Sequence, residues 1–165
     1  MITLGVDPGT ALMGYGIVTG DDEPSLVTYG VVETTAEQSM DRRLVKLYET
    51  VWELIRTHAP DVLAIEQLFF ARNVTTALAV GQARGVVLLA AAQHGMSVYE
   101  YKPAEVKQSI SGYGKADKHQ MQEMVRILLG LPDIPRPDDA ADALAVALCH
   151  VQMSRLSRTF GIPRR

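Results

Sequence analysis

Five short runs rich in Val, Ile, Leu and Tyr each predict a β-strand, because they are apolar and bounded by turn residues. The runs are Thr3–Asp7, Gly14–Thr19, Ser25–Glu33, Val62–Glu66 and Ser97–Tyr101. Only short, turn-like segments that contain Pro8-Gly9 and Pro24 separate the first three runs. These three strands are therefore expected to form an antiparallel meander.

Five further segments predict helices from their period, their length and the residues that bound them. They are Met40–Thr57, Thr75–His94, Pro103–Ser111, Lys118–Leu129 and Asp138–Ser154. The last two strands each follow a helix, and such crossover connections require parallel pairing. The expected fold is α/β: a mixed five-stranded sheet, with three antiparallel strands and then parallel crossovers, and helices on both faces.

A chain of 165 residues that is 47% hydrophobic suits one domain with a substantial core. We expect this domain over residues 1–154, followed by a basic, mobile C-terminal tail over residues 155–165. Cys149 is the only cysteine, which excludes an intramolecular disulfide and a Cys-based metal cluster and agrees with a reducing cytoplasm. No signal peptide is expected, since no basic stretch precedes an apolar run at the N-terminus.

The helix predicted over residues 75–94 is apolar around most of its circumference. A helix of this kind is buried on several sides or forms a contact between subunits. Its most apolar stretch, Gly85–Ala92, is too short to span a membrane.

Charge is distributed unevenly although the net charge is only −3. Residues 1–66 carry 11 acidic and 4 basic residues, whereas residues 67–165 carry 8 acidic and 12 basic residues. Such asymmetry permits a basic face on an acidic protein, which suits a polyanionic partner. A solvated surface with a basic tail is the alternative interpretation.

Four acidic residues stand where predicted strands end or a helix begins. Asp7 and Glu66 each close an apolar strand, where open α/β sheets bind their ligands. Asp139 and Asp142 are spaced to share one face at the start of the last helix. Gathered carboxylates repel one another, and divalent cations with oxygen ligands relieve that repulsion. The four acids therefore predict a site for two Mg²⁺ or Mn²⁺ ions in an enzyme that acts on phosphate.

Each of these acids also has a structural interpretation. Asp7 begins a turn signal with Pro8 and Gly9, and a Glu at a strand end is often a surface charge. Asp138 or Asp139 could cap the last helix. Asp142, however, lies between two alanines on an apolar helix, where an unpaired charge is costly. The coincidence of all four residues favours the metal site.

Three lysines are candidate contacts to a nucleic-acid backbone. The turn at Gly112-Tyr113-Gly114 would bring Lys107, Lys115 and Lys118 near a phosphate. Lysines at helix ends are equally typical of a solvated surface. Spacing alone does not decide between the two interpretations.

Phe69 and Phe70 follow directly after the strand that ends at Glu66, with Arg72 beside them. Adjacent side chains of an extended segment point to opposite sides, so one of the two Phe residues could face outward. An exposed aromatic beside an Arg suits stacking on an unpaired base. Ordinary packing or a dimer contact is the alternative.

Five segments, in order and over about residues 1–150, resemble the motifs of the RuvC family of bacterial Holliday junction resolvases. They are Gly5-Val6-Asp7-Pro8-Gly9, Ala64-Ile65-Glu66-Gln67, Gly81-Gln82-Ala83-Arg84-Gly85, Val106-Lys107-Gln108 and Asp139-Ala140-Ala141-Asp142-Ala143-Leu144-Ala145. The resemblance implies a ribonuclease-H-like fold, in agreement with the predicted order of elements. It also implies a homodimer with one active site per subunit, and the branch-migration proteins RuvA and RuvB as partners.

The activity implied by the resemblance is metal-dependent nicking of two symmetric strands of a four-way DNA junction, which leaves 5′-phosphate ends. The implied metal-binding catalytic acids are Asp7, Glu66, Asp139 and Asp142. The implied DNA contacts are Phe69, Lys107 and Lys118. Asp138 stands four residues before Asp142 and could share its face, so the sequence leaves open whether Asp138 also binds metal.

Three other functions compete with this hypothesis. Asp7-Pro8-Gly9-Thr10 resembles the phosphate loop of actin-like ATPases and sugar kinases, but 165 residues leave no room for their second lobe. A junction-binding protein with non-catalytic acids would share the same sequence features. A ribonuclease-H-like nuclease that cuts RNA–DNA hybrids would share them as well.

Overall fold

The computed structural model describes residues 1–67 and 74–161, with the backbone alone described for residues 74–76. The strands in these ranges are β1 (Ile2–Asp7), β2 (Leu12–Thr19), β3 (Ser25–Glu33), β4 (Val62–Glu66) and β5 (Ser97–Tyr101). The helices are α1 (Met40–His58), α2 (Val74–Gln93), α3 (Pro103–Ser111), α4 (Lys118–Leu128) and α5 (Asp138–Phe160). The predicted order of elements is confirmed, and the bounds agree closely except at the end of the last helix.

The strands form one five-stranded sheet in the order β3-β2-β1-β4-β5. β1, β2 and β3 pair antiparallel because only short turns connect them. β4 pairs parallel with β1, and β5 pairs parallel with β4, as their helical crossovers require. The predicted mixed sheet is therefore confirmed.

The sheet buries a separate apolar cluster on each face, because successive side chains of a strand point to opposite sides. Leu4, Val6, Leu63 and Ile65 belong to one cluster, which includes residues of α1 and α2. Ala64 belongs to the other cluster, which includes residues of α3, α4 and α5. The predicted placement of helices on both faces is confirmed as well.

Helix α5 lies very close to the sheet because glycines replace side chains beneath it. A Cβ on Gly5 would lie 2.2 Å from the carbonyl oxygen of Ala143, and one on Gly14 would lie 1.9 Å from that of Asp139. These distances are far shorter than a van der Waals contact. The glycines therefore fix the start of α5 beside the end of β1 and the start of β2.

The last helix was predicted to end at Ser154, and this bound is wrong because α5 continues to Phe160. Arg155 pairs with Asp22 and Arg158 with Asp21, so part of the segment assigned to a tail is helical and contacts the turn after β2. Gly161 then ends the helix in a left-handed conformation, with φ of 63°. Residues 162–165 of the predicted tail lie outside the described residues.

No helix in the described part of the chain combines the length and the apolar character that crossing a membrane requires.

Candidate active site

The sheet places Asp7 and Glu66 side by side. In the parallel register of β1 and β4, Val6 pairs with Ile65, and the two acids are the next residue on each strand. Neighbouring strands lie about 5 Å apart. Since Val6 and Ile65 point toward α1 and α2, the alternation of side chains directs Asp7 and Glu66 to the opposite face, where α5 lies.

Helix α5 brings Asp139 and Asp142 to the same place. Asp7 pairs with Gly14 between β1 and β2, and the backbone of Asp139 rests on Gly14. Asp142 lies three residues further along α5, on the same side of the helix. The carboxylates of both residues act on the Asp7 carboxyl by charge repulsion. Acids from three separate parts of the chain are thus brought together.

A cleft of about 260 Å³ opens at this edge of the sheet. Its charged lining residues are Asp7, Glu66, Lys107, Lys118 and Asp142. Its apolar lining residues are Pro103, Val106, Met121, Ala145 and Val146. Asp139 does not line the cleft, but its charge acts on Asp7, Asp142 and Lys118. The apolar wall lowers the local polarity around the more buried carboxylates, above all Asp7, and strengthens the charge interactions there.

Asp7 has the most perturbed acidity of these residues. Burial, followed by repulsion from Asp142, Asp139 and Glu66, raises the pKa of Asp7 from 3.8 to about 7. Lys118 opposes this shift but does not cancel it. A carboxyl with such a pKa binds a proton near neutral pH unless another cation takes the place of that proton.

The pKa values of Glu66 and Asp142 are raised too, and burial is the largest cause for both. Repulsion from Asp142 adds to the shift at Glu66, whereas Lys107 lowers its pKa. Lys118 lowers the pKa of Asp142, and Asp139 raises it. Two lysines therefore offset only part of the negative charge in the cleft.

Asp138, which the sequence left open as a ligand, is engaged with α4. Its carboxylate accepts hydrogen bonds from Gln122 Nε2 at 2.9 Å and Arg136 Nη1 at 2.5 Å, and pairs with Lys118 Nζ at 3.1 Å. Lys118 and then Gln122 hold the pKa of Asp138 below its usual value. Asp142 Oδ2 lies further from Lys118 Nζ, at 3.6 Å. These contacts favour Asp138 as the partner of Lys118.

The donor atoms of the cleft suit a divalent cation. They are carboxylate oxygens, which Mg²⁺ and Mn²⁺ prefer, and burial and then repulsion from neighbouring carboxylates raise the pKa of Asp7. In residues 1–67 and 74–161, no three acidic, His or Cys side chains stand close enough together to hold a metal ion. The residues fit a metal in chemistry and charge, and the carboxylates must draw closer to ligate it.

The remaining predicted contacts are placed differently from one another. Lys107 and Lys118 line the cleft. Lys115 is exposed in the turn between α3 and α4 and does not line it. Phe69, Phe70 and Arg72 lie outside the described residues.

One residue next to the site had no role assigned from sequence. Arg84 Nη1 donates a hydrogen bond to the carbonyl oxygen of Glu66 at 2.8 Å, and Arg84 Nη2 pairs with Glu100 Oε1 at 2.6 Å. Arg84 is the single charged residue of α2, a helix otherwise made of apolar, small and uncharged residues. An isolated charge on an apolar helix is the signal that could have identified it.

Comparison with known proteins gives the family. The sequence model described as crossover junction endodeoxyribonuclease RuvC matches residues 3–150. The protein of that name from Thermomicrobium roseum is 58% identical over 158 residues, which cover 96% of this chain and 97% of its own. The protein of that name from Roseiflexus sp. is 59% identical over 157 residues, which cover 94% of each chain.

Solved structures agree with this assignment and confirm the ribonuclease-H-like fold. The structure of T. thermophilus RuvC in complex with Holliday junction substrate matches with a TM-score of 0.92 at 38% identity, covering 95% of this chain and 96% of that chain. A yeast mitochondrial Holliday junction resolvase is only 14% identical, with a TM-score of 0.67, and shows the fold alone. The sequence match, the matching fold and the cleft of acids lead to one conclusion: this chain belongs to the RuvC family of crossover junction endodeoxyribonucleases.

Proposed function

We propose that this chain is a structure-selective endonuclease that resolves four-way DNA junctions by nicking two symmetric strands. The observation that carries the proposal is the meeting of Asp7, Glu66 and Asp142 with Lys107 and Lys118 around one cleft. The junction-bound T. thermophilus relative supports the substrate class. The cellular processes that this activity would serve are homologous recombination and DNA repair.

The cleft residues divide the chemistry between them. Asp7, Glu66, Asp139 and Asp142 would hold two Mg²⁺ or Mn²⁺ ions, which when bound activate a water and stabilise the leaving oxygen of a phosphoryl displacement. Lys107 and Lys118 supply positive charge on the cleft wall, where they attract and orient a backbone phosphate. Asp138 holds the Lys118 ammonium at 3.1 Å and so limits where that charge can lie.

A homodimer is the assembly that suits a two-fold symmetric junction. Support comes from an apolar stripe along α2, where Leu78 is 63% and Leu89 is 51% exposed. Gly81 and Gly85 lie on the same stripe, and a Cβ on either would meet nothing within 4 Å. Small residues between exposed leucines allow a second helix to approach closely, so α2 is the proposed contact between subunits.

The other proposed partners are RuvA and RuvB, and the proposed location is the cytoplasm. Family membership supports both proposals. Co-purification of tagged protein with RuvA and RuvB, in the presence and absence of junction DNA, tests the first. A contact that forms only with junction DNA would indicate that the DNA brings the proteins together.

A cleavage assay with a labelled mobile four-way junction tests the proposed activity. Linear duplex and an RNA–DNA hybrid of the same sequence are the matched substrates, each with Mg²⁺, with Mn²⁺ or with chelator. The expected result is paired, symmetric nicks in the junction alone, with metal alone. The products should carry 5′-phosphates that ligase can seal.

Two other outcomes would overturn the proposal. Tight junction binding without cleavage under either metal would make the chain a junction-binding module. Preferential cleavage of the hybrid would make it a ribonuclease. A separate ATP-binding assay tests the phosphate-loop alternative at Asp7-Pro8-Gly9-Thr10, which binding of ATP would support.

A further inference from the structure

Arg84 is a buried cation in a helix that has no other charge. Its residue surface is only 8% exposed. Removing a guanidinium from water is costly unless its donors are satisfied by good acceptors. Arg84 meets that requirement with a backbone oxygen and a carboxylate, the Glu66 carbonyl at 2.8 Å and Glu100 Oε1 at 2.6 Å.

The Glu66 carbonyl lies where β4 leaves the sheet. Pairing of β4 with β1 ends at Ile65, one residue earlier. On the β5 side, the Gln67 nitrogen donates to the Tyr101 carbonyl at 2.8 Å. Arg84 therefore adds a second anchor to the peptide group that joins Glu66 to Gln67. The direction of the Glu66 side chain depends on the orientation of this peptide.

We propose that Arg84 is a positioning residue, which holds the backbone of Glu66 so that the Glu66 carboxylate faces the cleft and can bind metal. The inference rests on the proposed function, in which Glu66 is a metal ligand. Residues that orient ligands without touching the metal typically account for about tenfold to a hundredfold of metal affinity or activity. The same range is expected for Arg84.

Three variants separate the two contacts of Arg84. Arg84→Met keeps the apolar stem and removes both contacts. Arg84→Lys keeps the charge, but its single ammonium cannot reproduce the two-pronged guanidinium geometry. Glu100→Gln removes the ion pair and leaves the donor to the Glu66 carbonyl in place.

The first readout is binding of Mg²⁺ to the DNA-free protein, measured by calorimetry and by the metal-induced rise in melting temperature. Arg84→Met should raise the half-saturating Mg²⁺ concentration about tenfold to a hundredfold. Arg84→Lys should give a smaller increase, and Glu100→Gln should stay close to the wild-type value. Junction binding in chelator should be unchanged in all three, because the lysines of the cleft are intact.

Wild-type Mg²⁺ affinity in folded Arg84→Met would overturn the inference. The same holds for an equal increase in Glu100→Gln, which would assign the effect to the ion pair alone. If Arg84→Met does not fold, the Mg²⁺ affinity of Arg84→Lys is the test. A wild-type affinity in Arg84→Lys would then overturn the inference. Failure of the proposed function is distinguishable, because the wild-type protein itself would then show no metal-dependent junction cleavage.

Discussion

Acidic residues lie beside both ends of helix α5, and their pKa values are shifted in opposite directions. At its start, burial and mutual repulsion raise the pKa of Asp7 to about 7, and the pKa of Asp142 is raised as well. At its end, Asp21 Oδ2 accepts from Arg158 Nη1 at 2.7 Å, and Asp21 Oδ1 pairs with the N-terminal ammonium at 3.2 Å. Hydrogen bonds from these groups lower the pKa of Asp21.

The difference teaches that environment, and not residue type, separates a functional carboxylate from a structural one. At the end of α5, Asp21 and Asp22 are paired with Arg158 and Arg155, so their charge is compatible with the fold. At the start of α5, several acids face one cleft, and Lys107 and Lys118 offset only part of their charge. That arrangement costs stability, and it leaves negative charge available for a metal ion.

Asp7→Asn gives the largest change, because it removes the acid at the centre of the unpaired group. Metal-dependent junction cleavage should fall by more than about a hundredfold, since loss of a ligand exceeds loss of a residue that orients one. Junction binding in chelator should survive. Stability without metal at pH 8 should rise, because a pKa shift from 3.8 to about 7 corresponds to a penalty on the order of 4 kcal/mol.

The measurements are single-turnover cleavage, gel-shift binding and denaturant unfolding of the same preparation. Loss of binding together with cleavage would contradict the prediction, since Asp7 would then be needed for the structure of the protein and not only for catalysis. Unchanged stability at pH 8 would show that the ionised Asp7 carboxylate does not destabilise the folded protein.

Gly14→Ala tests the close approach of α5 to the sheet beside the cleft. The new Cβ would lie 1.9 Å from the Asp139 carbonyl oxygen, so α5 must shift. We expect destabilisation of about 1 to 3 kcal/mol, as in overpacked cores, and loss of cleavage. Gly114→Ala is the matched control, because its Cβ would be 3.6 Å from Gln108 Oε1, an ordinary contact. Chemical denaturation of both variants checks the prediction, and similar stabilities would contradict it.

The pH dependence of stability should differ in sign between Asp7, beside the start of α5, and Asp21, beside its end. The pKa of Asp7 is raised in the folded protein, so its stabilising protonation is complete below about pH 4 and is lost as the pH rises to about 7. Asp21 has a lowered pKa, so its contribution is present above its ordinary value of 3.8 and is lost on further acidification. Difference curves of wild type against Asp7→Asn and Asp21→Asn, measured without metal, isolate each contribution.

Added Mg²⁺ should sharpen this contrast. It should raise the melting temperature at pH 8 and have less effect at pH 5, where protons compete for the same carboxylates. Asp7→Asn should lose most of this rise. An equal rise at both pH values would indicate binding elsewhere on the protein.

Asp21→Asn should give the smallest change. The pair is exposed, and exposed ion pairs contribute little. We expect a melting temperature lower by a few degrees at most, with junction cleavage unchanged, measured beside wild type at matched salt. A loss of cleavage would show that the contacts of Asp21 at the end of α5 affect the activity of the cleft.

The elements that position the site were predictable because their signals are local. Each apolar strand that closes on Asp7 or Glu66 has a sharp end in the sequence, and parallel crossovers bring such ends together. The spacing of Asp139 and Asp142 follows from the helical period. Local pattern therefore sufficed for the order of elements and for the placement of Asp7, Glu66 and Asp142 around one cleft, whereas their role as metal ligands stays a prediction.

Long-range contacts explain what the sequence did not reveal. The end of α5 pairs with a distant part of the chain, since Arg158 contacts Asp21, 137 residues away, and a local pattern does not contain that contact. The engagement of Asp138 with Gln122 and Lys118 depends on where α4 packs. The role proposed for Arg84 likewise depends on a backbone oxygen 18 residues earlier in the chain.

The close packing of α5 on the glycines of β1 and β2 also has a consequence for synthesis of the protein. Asp7 belongs to β1, whereas Asp139 and Asp142 belong to α5, more than 130 residues later in the chain. That helix packs on β1 and β2 at Gly5 and Gly14, so the acids can meet only after α5 has been synthesised. A nascent or prematurely terminated chain that lacks α5 would therefore lack the assembled site and would be unable to cut DNA.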